Sequence, residues 1–263
     1  MPGIFRDGLY AGRHVFLTGG SSGITLRLAE AFGKAGAKIS ILARKQEKID
    51  AALTLLRGQG TTAEGYSADV RDYAAIDGAM TKAVTAFGPL DVLICGAAGN
   101  FPAPAMAMSS NGFKAVLDID VLGTFNCCRA AFEKFRTPGA CVINISAPQA
   151  SVPYPMQSHV CAAKAGVDML TRTLAMEWGG AGVRVNSISP GPIDETEGMS
   201  RLAGDPDSRK KVETSIPMQR LGTKDDIANV ALFLASDAAS YITGSIYACD
   251  GGMQLMGGAF MTM

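Results

Sequence analysis

The chain has 263 residues, 48% of them hydrophobic and 18% charged, with 24 basic and 24 acidic side chains and zero net charge. That length suffices for one sizeable core, and the charge balance argues against nucleic-acid or membrane-surface binding. Six cysteines without C-x-x-C spacing read as reduced core thiols. No signal pattern opens the chain, no apolar run reaches the ~18 residues of a membrane span, and Met261-Thr262-Met263 is not a peroxisomal address, so a cytoplasmic protein is expected.

Short apolar or β-branched runs at 14–17, 38–43, 64–67, 92–95, 140–145, 184–189 and 245–249 read as strands. Helix-period segments at 24–35, 46–58, 73–87, 111–135, 160–178 and 224–235 separate them. The alternation predicts an α/β fold: a doubly wound, Rossmann-like parallel sheet of about seven strands with helices on both faces. One domain spans 1–263. The irregular stretch 191–218 is expected to be an insertion that covers the ligand crevice.

The first strand runs into Thr18-Gly19-Gly20-Ser21-Ser22-Gly23-Ile24-Thr25 and then a helix. Glycines permit a sharp turn and close approach of backbone to a pyrophosphate, while the helix N-terminus supplies free N–H groups. Gly19, Ser21, Ser22, Gly23 and Ile24 are therefore candidate cofactor contacts. Thr25 replaces the helix-side glycine of the usual pattern, which predicts a slight shift of the helix. Where an acidic residue would hold a free ribose 2′-hydroxyl, Arg44 and Lys45 stand after the second strand. Two cations there favour a 2′-phosphate, hence NADP(H), over the alternative of a solvated basic turn. Asp69 and Val70 follow the third strand and suit the adenine edge, with a helix cap as the competing role for Asp69.

These features, with Cys95-Gly96-Ala97-Ala98-Gly99, Lys164, Pro190-Gly191 and Asp250-Gly251-Gly252, resemble the short-chain dehydrogenase/reductase family over essentially the whole chain. The resemblance implies a nicotinamide cofactor, a homotetramer, and cofactor contacts from Ala97, Lys164, Pro190, Gly191, Ile193 and Thr196. It also implies a catalytic Asn, Ser, Tyr and Lys. Asp120 stands at the Asn position, Ala147 at the Ser position and Val160 at the Tyr position; only Lys164 is kept. The departures resemble one branch, the 2,4-dienoyl-CoA reductases of the peroxisomal type and their bacterial relatives. Gly96–Phe101, Asp118-Ile119-Asp120, Gly123–Asn126 and Gly191–Gly198 carry that likeness.

The resemblance implies an NADPH-dependent reduction of a conjugated acyl thioester. Carbonyl reduction needs an acid for the new alkoxide, whereas hydride addition to a dienoyl thioester yields an extended enolate that is protonated on carbon. Lys164 is expected to bond the nicotinamide ribose, against a snorkelling surface lysine. Asp120 and Asp250 are candidates to hold the proton-bearing water, against a structural hydrogen bond and a turn role respectively. His159 neighbours the vacant tyrosine position and is a candidate acid or a locally satisfied histidine. Asn100 and Phe101 are candidate substrate contacts; Ser109 and Asn111 are contacts by resemblance, or a helix cap. Arg71 could meet the CoA anion or be solvated. Tyr154 lacks helical-turn spacing to Lys164. No metal site is expected. Two other readings stay open: a reductase of another alkene or carbonyl using His159 or Asp120 as acid, and a catalytically silent NADP-binding scaffold.

Overall fold

The structure, a computed structural model, describes residues 4–256. β1 (His14–Thr18) leads through the glycine turn into α1 (Gly23–Lys34). The unit repeats as β2 (Lys38–Ala43), α2 (Gln46–Gly58), β3 (Ala63–Ser67) and α3 (Tyr73–Phe87). Next come β4 (Val92–Cys95), α4 (Ser110–Leu117), a π-helical turn (Asp118–Leu122), α5 (Gly123–Ala131), β5 (Cys141–Ile145), α6 (Ser158–Trp178) and β6 (Arg184–Pro190). The chain then forms α7 (Glu197–Leu202), α8 (Pro206–Ser215), α9 (Lys224–Ala235) and β7 (Ile246–Cys249). The 7-stranded sheet has the order β3-β2-β1-β4-β5-β6-β7, with every neighbouring pair parallel.

Alternation along β1 decides which layer each side chain joins. Val15 and Leu17 pack with Leu28, Phe32, Ile49 and Ile227 from α1, α2 and α9. Phe16 points the other way, toward Ile76, Met80, Cys127 and Leu174 from α3, α5 and α6. Both sheet faces are thus buried, which is why the strands read as continuous apolar runs. All six cysteines are free; Cys95, Cys127, Cys128 and Cys141 are buried, and burial pushes the Cys141 thiol up to about 11. Among the described residues, no helix is long and apolar enough to cross a membrane. The apolar stretch at 253–261 lies outside the described residues from 257 onward.

Two sequence expectations need correction. The helix expected over 111–135 is interrupted by the π-helical turn at Asp118–Leu122. Such a turn adds a residue to one helical winding and commonly serves a site; here it carries Asp120 inward. The stretch 191–218 is not structureless, because α7 and α8 form within it, capped by the side chains of Thr196 and Asp205.

His14, at the opposite end of β1, ties the sheet to the α3–β4 connection. Its Nδ1 donates to the Gly88 carbonyl at 2.8 Å, and its Nε2 accepts from Ser40 Oγ at 2.8 Å. Burial lowers its basicity, aided by Lys38 and Arg136 and opposed by the Gly88 carbonyl and Asp91. A neutral buried histidine contributes stability that is present above its unfolded value, near 6.5, and lost as pH falls toward the depressed folded value. Unfolding by urea is therefore expected to become easier below about pH 6.5, and His14→Phe is expected to flatten that dependence. An unchanged pH slope in the variant contradicts this role.

Candidate active site

β2 and β4 flank β1 on opposite sides, so their connections diverge and open a crevice beyond the strands' C-terminal ends. A cleft of about 650 Å³ occupies that place. Its floor begins at Gly19, whose φ of 71° and close neighbour exclude a side chain: a Cβ there would lie 2.9 Å from the Ala97 nitrogen. Ser22 sits before α1 in extended conformation without a side-chain cap, and the first turn carries no acidic residue. The backbone N–H groups and positive helix end thus face the cleft, with Ser21, Gly23 and Ile24 also in its wall. Thr25 is accommodated because Gly96 lies opposite; a Cβ on Gly96 would come within 2.4 Å of the Thr25 hydroxyl.

Arg44 and Lys45 line the same cleft, together with Lys48 from the first turn of α2. Lys48 was missed in the sequence, although its three-residue spacing from Lys45 was a usable signal. Val70 is in the wall, its carbonyl fixed by Asn126 Nδ2 at 3.0 Å. Asp69 also lines the cleft, but its carboxylate is gripped by Arg71 at 2.6 and 2.9 Å, which holds it below the usual range. The Arg71 guanidinium is committed to that pair and does not line the cleft.

At the far end, α6 delivers Lys164 to the wall. Its Nζ donates to the Ile145 carbonyl at 3.1 Å and lies 3.1 Å from Asp120 Oδ2. The other Asp120 oxygen accepts from the Gly99 amide at 2.7 Å. Both side chains are almost wholly buried, so the pair ties α6, the π-helical turn and the β4 loop into one unit. The Ile145 carbonyl takes one ammonium hydrogen, whereas Asp120 Oδ2 is an ion-pair neighbour without a hydrogen bond, so Lys164 keeps donor capacity for the cleft. One turn further along α6, Asp168 is also buried, and burial raises its pKa. Its four-residue spacing from Lys164 was the missed signal.

Ala147 and Val160, neither of which carries a hydroxyl, line the cleft beside Lys164. Gln149, Gln157 and Tyr154 complete that wall. The Tyr154 hydroxyl lies 3.9 Å from Met253 Sδ, and burial together with Asp250 raises its pKa. Asn100, Ala97, Pro190, Gly191, Ile193 and Thr196 also line the cleft.

Other candidates stand elsewhere. His159 is fully buried with its ring 4.6 Å from that of Phe101, neither ring nitrogen has a partner, and neither residue lines the cleft. Asp250 accepts from the amides of Gly252 and Gln254, each at 2.9 Å, as a turn residue does. Ser109 caps α4 by accepting from the Gly112 amide at 3.0 Å and edges a second cavity with Ser158. Asn111 lies in the first turn of α4, outside the wall of either cavity.

Residues 19–254 match the family described as Enoyl-(Acyl carrier protein) reductase. The chain is 44% identical over 256 residues to the peroxisomal 2,4-dienoyl-CoA reductase, (3E)-enoyl-CoA-producing, of Pongo abelii, covering 97% of this chain and 86% of that one. The protein of the same name from Arabidopsis thaliana is 40% identical over 265 residues, covering 97% and 89%. A gluconate 5-dehydrogenase from Burkholderia cenocepacia, solved in complex with NADP and tartrate, superposes with a TM-score of 0.88 at 29% identity, over 95% and 98% of the two chains. A glycine turn too tight for a side chain, an uncapped helix start and a retained lysine beside the cleft fit the nicotinamide cofactor that this fold implies. The chain is an oxidoreductase of the short-chain dehydrogenase/reductase family.

Proposed function

We propose that the protein is an NADPH-dependent 2,4-dienoyl-CoA reductase that works without a tyrosine acid. The observation that carries this reading is the wall around Lys164: the lysine is kept and paired with Asp120, while Ala147 and Val160 offer no hydroxyl to a carbonyl oxygen. The names of the relatives support the substrate class. Arg44, Lys45 and Lys48 would hold the 2′-phosphate, and a remaining Lys164 N–H would hold the nicotinamide ribose. When bound, the reduced nicotinamide supplies a hydride, here to the far alkene carbon of the dienoyl thioester.

The chain's own residues then have two tasks. Donors such as Asn100 steady the thioester oxygen as negative charge reaches it through the conjugated chain. The Lys164–Asp120 pair keeps the end of the cleft polar, so that a solvent proton can reach the carbon next to the thioester. Protonation there gives a (3E)-enoyl product. Asp250, turned onto its own loop, assists by placing the segment that carries Met253 into the cleft wall. We read the protein as a cytoplasmic homotetramer: its free cysteines suit a reducing compartment, and self-association would cover the exposed Leu122, Phe125, Met169 and Met176. Sedimentation at micromolar concentration checks the assembly.

The test of the activity is NADPH oxidation with a trans-2,trans-4-dienoyl-CoA beside 2-enoyl and 3-ketoacyl thioesters of the same length. Rapid oxidation with the dienoyl thioester alone is expected; equal inactivity with all three overturns the reading.

A further inference from the structure

The loss of both hydroxyls leaves the substrate oxygen without the donors usual for this fold, yet the same wall carries two amides. Gln149 follows β5, and Gln157 immediately precedes α6; both line the cleft with Val160 and Lys164. Gln149 Nε2 donates to Gln157 Oε1 at 2.9 Å. That bond occupies the Gln157 carbonyl and turns its NH₂ away from Gln149. Gln157 stands at the N-cap of α6, where a side chain would ordinarily bond the first-turn amides, but it makes no such bond. Its main-chain carbonyl alone starts the helix, accepting from Cys161 at 2.8 Å. The preceding residue, Met156, is held at a φ of 65°, a conformation that non-glycine residues avoid, with its carbonyl bonded to the Ala103 amide at 2.9 Å. Backbone strain of this kind persists where surrounding contacts over-determine it, and it clusters at functional sites. A strained turn thus delivers an amide whose acceptor is already used and whose donors are free for the cleft.

We propose that the Gln157 amide NH₂ is the preorganised hydrogen-bond donor to the thioester oxygen of the substrate, with Gln149 as its positioning residue. Asn100 also lines the cleft but is exposed, so it would add a second, less firmly held donor beside Gln157. A neutral donor stabilises the enolate oxygen as charge arrives but does not protonate it, which directs the proton to carbon. This rests on the dienoyl thioester reading above.

The test compares Gln157→Leu, Gln157→Glu and Gln149→Leu with the unsubstituted protein, using trans-2,trans-4-decadienoyl-CoA and NADPH. Both Gln157 variants are expected to lose about 10²–10³-fold in kcat/KM, with NADPH affinity and thermal midpoint unchanged. Glutamate keeps the size but cannot donate when ionised, so it guards against a loss that reflects packing alone. Gln149→Leu is expected to lose less, and the Gln149→Leu/Gln157→Leu double variant to be no worse than Gln157→Leu alone. Activity within threefold of the original in either Gln157 variant overturns the proposal while leaving the dienoyl reading intact. So does a loss confined to Gln149→Leu. Failure of the unsubstituted protein to oxidise NADPH with this substrate overturns both.

Discussion

Lys164→Met is expected to lower kcat/KM for a dienoyl thioester by about 10²–10³-fold, the loss typical of removing one preorganised donor. It is also expected to destabilise the fold by about 3–5 kcal/mol, because the buried Asp120 carboxylate loses the ammonium that lies 3.1 Å from it. The Ile145 carbonyl loses its Lys164 bond as well. Adding Asp120→Asn removes the stranded charge, so the double variant is expected to regain stability without regaining activity. Urea unfolding of the two single variants and the double variant separates these effects. Additive destabilisation contradicts a coupled buried pair, and near-normal turnover in Lys164→Met contradicts a role at the cofactor.

The second large effect concerns the cofactor. Arg44 and Lys45 line the cleft with Lys48. Hydrogen bonds to charged groups are worth about 1.5–3 kcal/mol each, and about 1.4 kcal/mol is a factor of ten in affinity. Arg44→Ala/Lys45→Ala is therefore expected to weaken NADPH binding by at least about 10²-fold while leaving NADH binding nearly unchanged. Added salt should narrow the proposed NADPH preference, since the proposed contacts would be with an exposed phosphate. Titration of cofactor fluorescence with both nucleotides checks this. An equal loss for NADH and NADPH contradicts recognition of the 2′-phosphate.

The sheet was legible because burial on both faces leaves apolar runs that end at glycine turns. The glycine loop and the Arg44-Lys45 pair were legible because a strand–turn–helix unit places them by sequence alone. Side-chain direction was not. His159 precedes the vacant position by one residue, but one helical step turns a side chain by about 100°, so its ring meets Phe101 instead of the cleft. Asp120 was identified from resemblance, yet the π-helical turn that aims it at Lys164 leaves no periodicity signal in so short a segment. Asp250 read equally as a turn residue, and the two amide bonds to its carboxylate favour that reading. Gln149 and Gln157 are eight residues apart on a loop, where no periodicity relates them. Only the folded chain brings their amides together.

The most direct measurement traces hydrogen. The protein is supplied with a trans-2,trans-4-dienoyl-CoA, NADPH deuterated at nicotinamide carbon 4, and ordinary water, and then with ordinary NADPH in deuterium oxide. Reduction that ends on carbon puts the cofactor's deuterium on carbon 5 and the solvent's on carbon 2 of a 3-enoyl thioester. An untouched dienoyl thioester, together with cofactor deuterium on the alcohol carbon of a reduced 3-ketoacyl thioester, contradicts it.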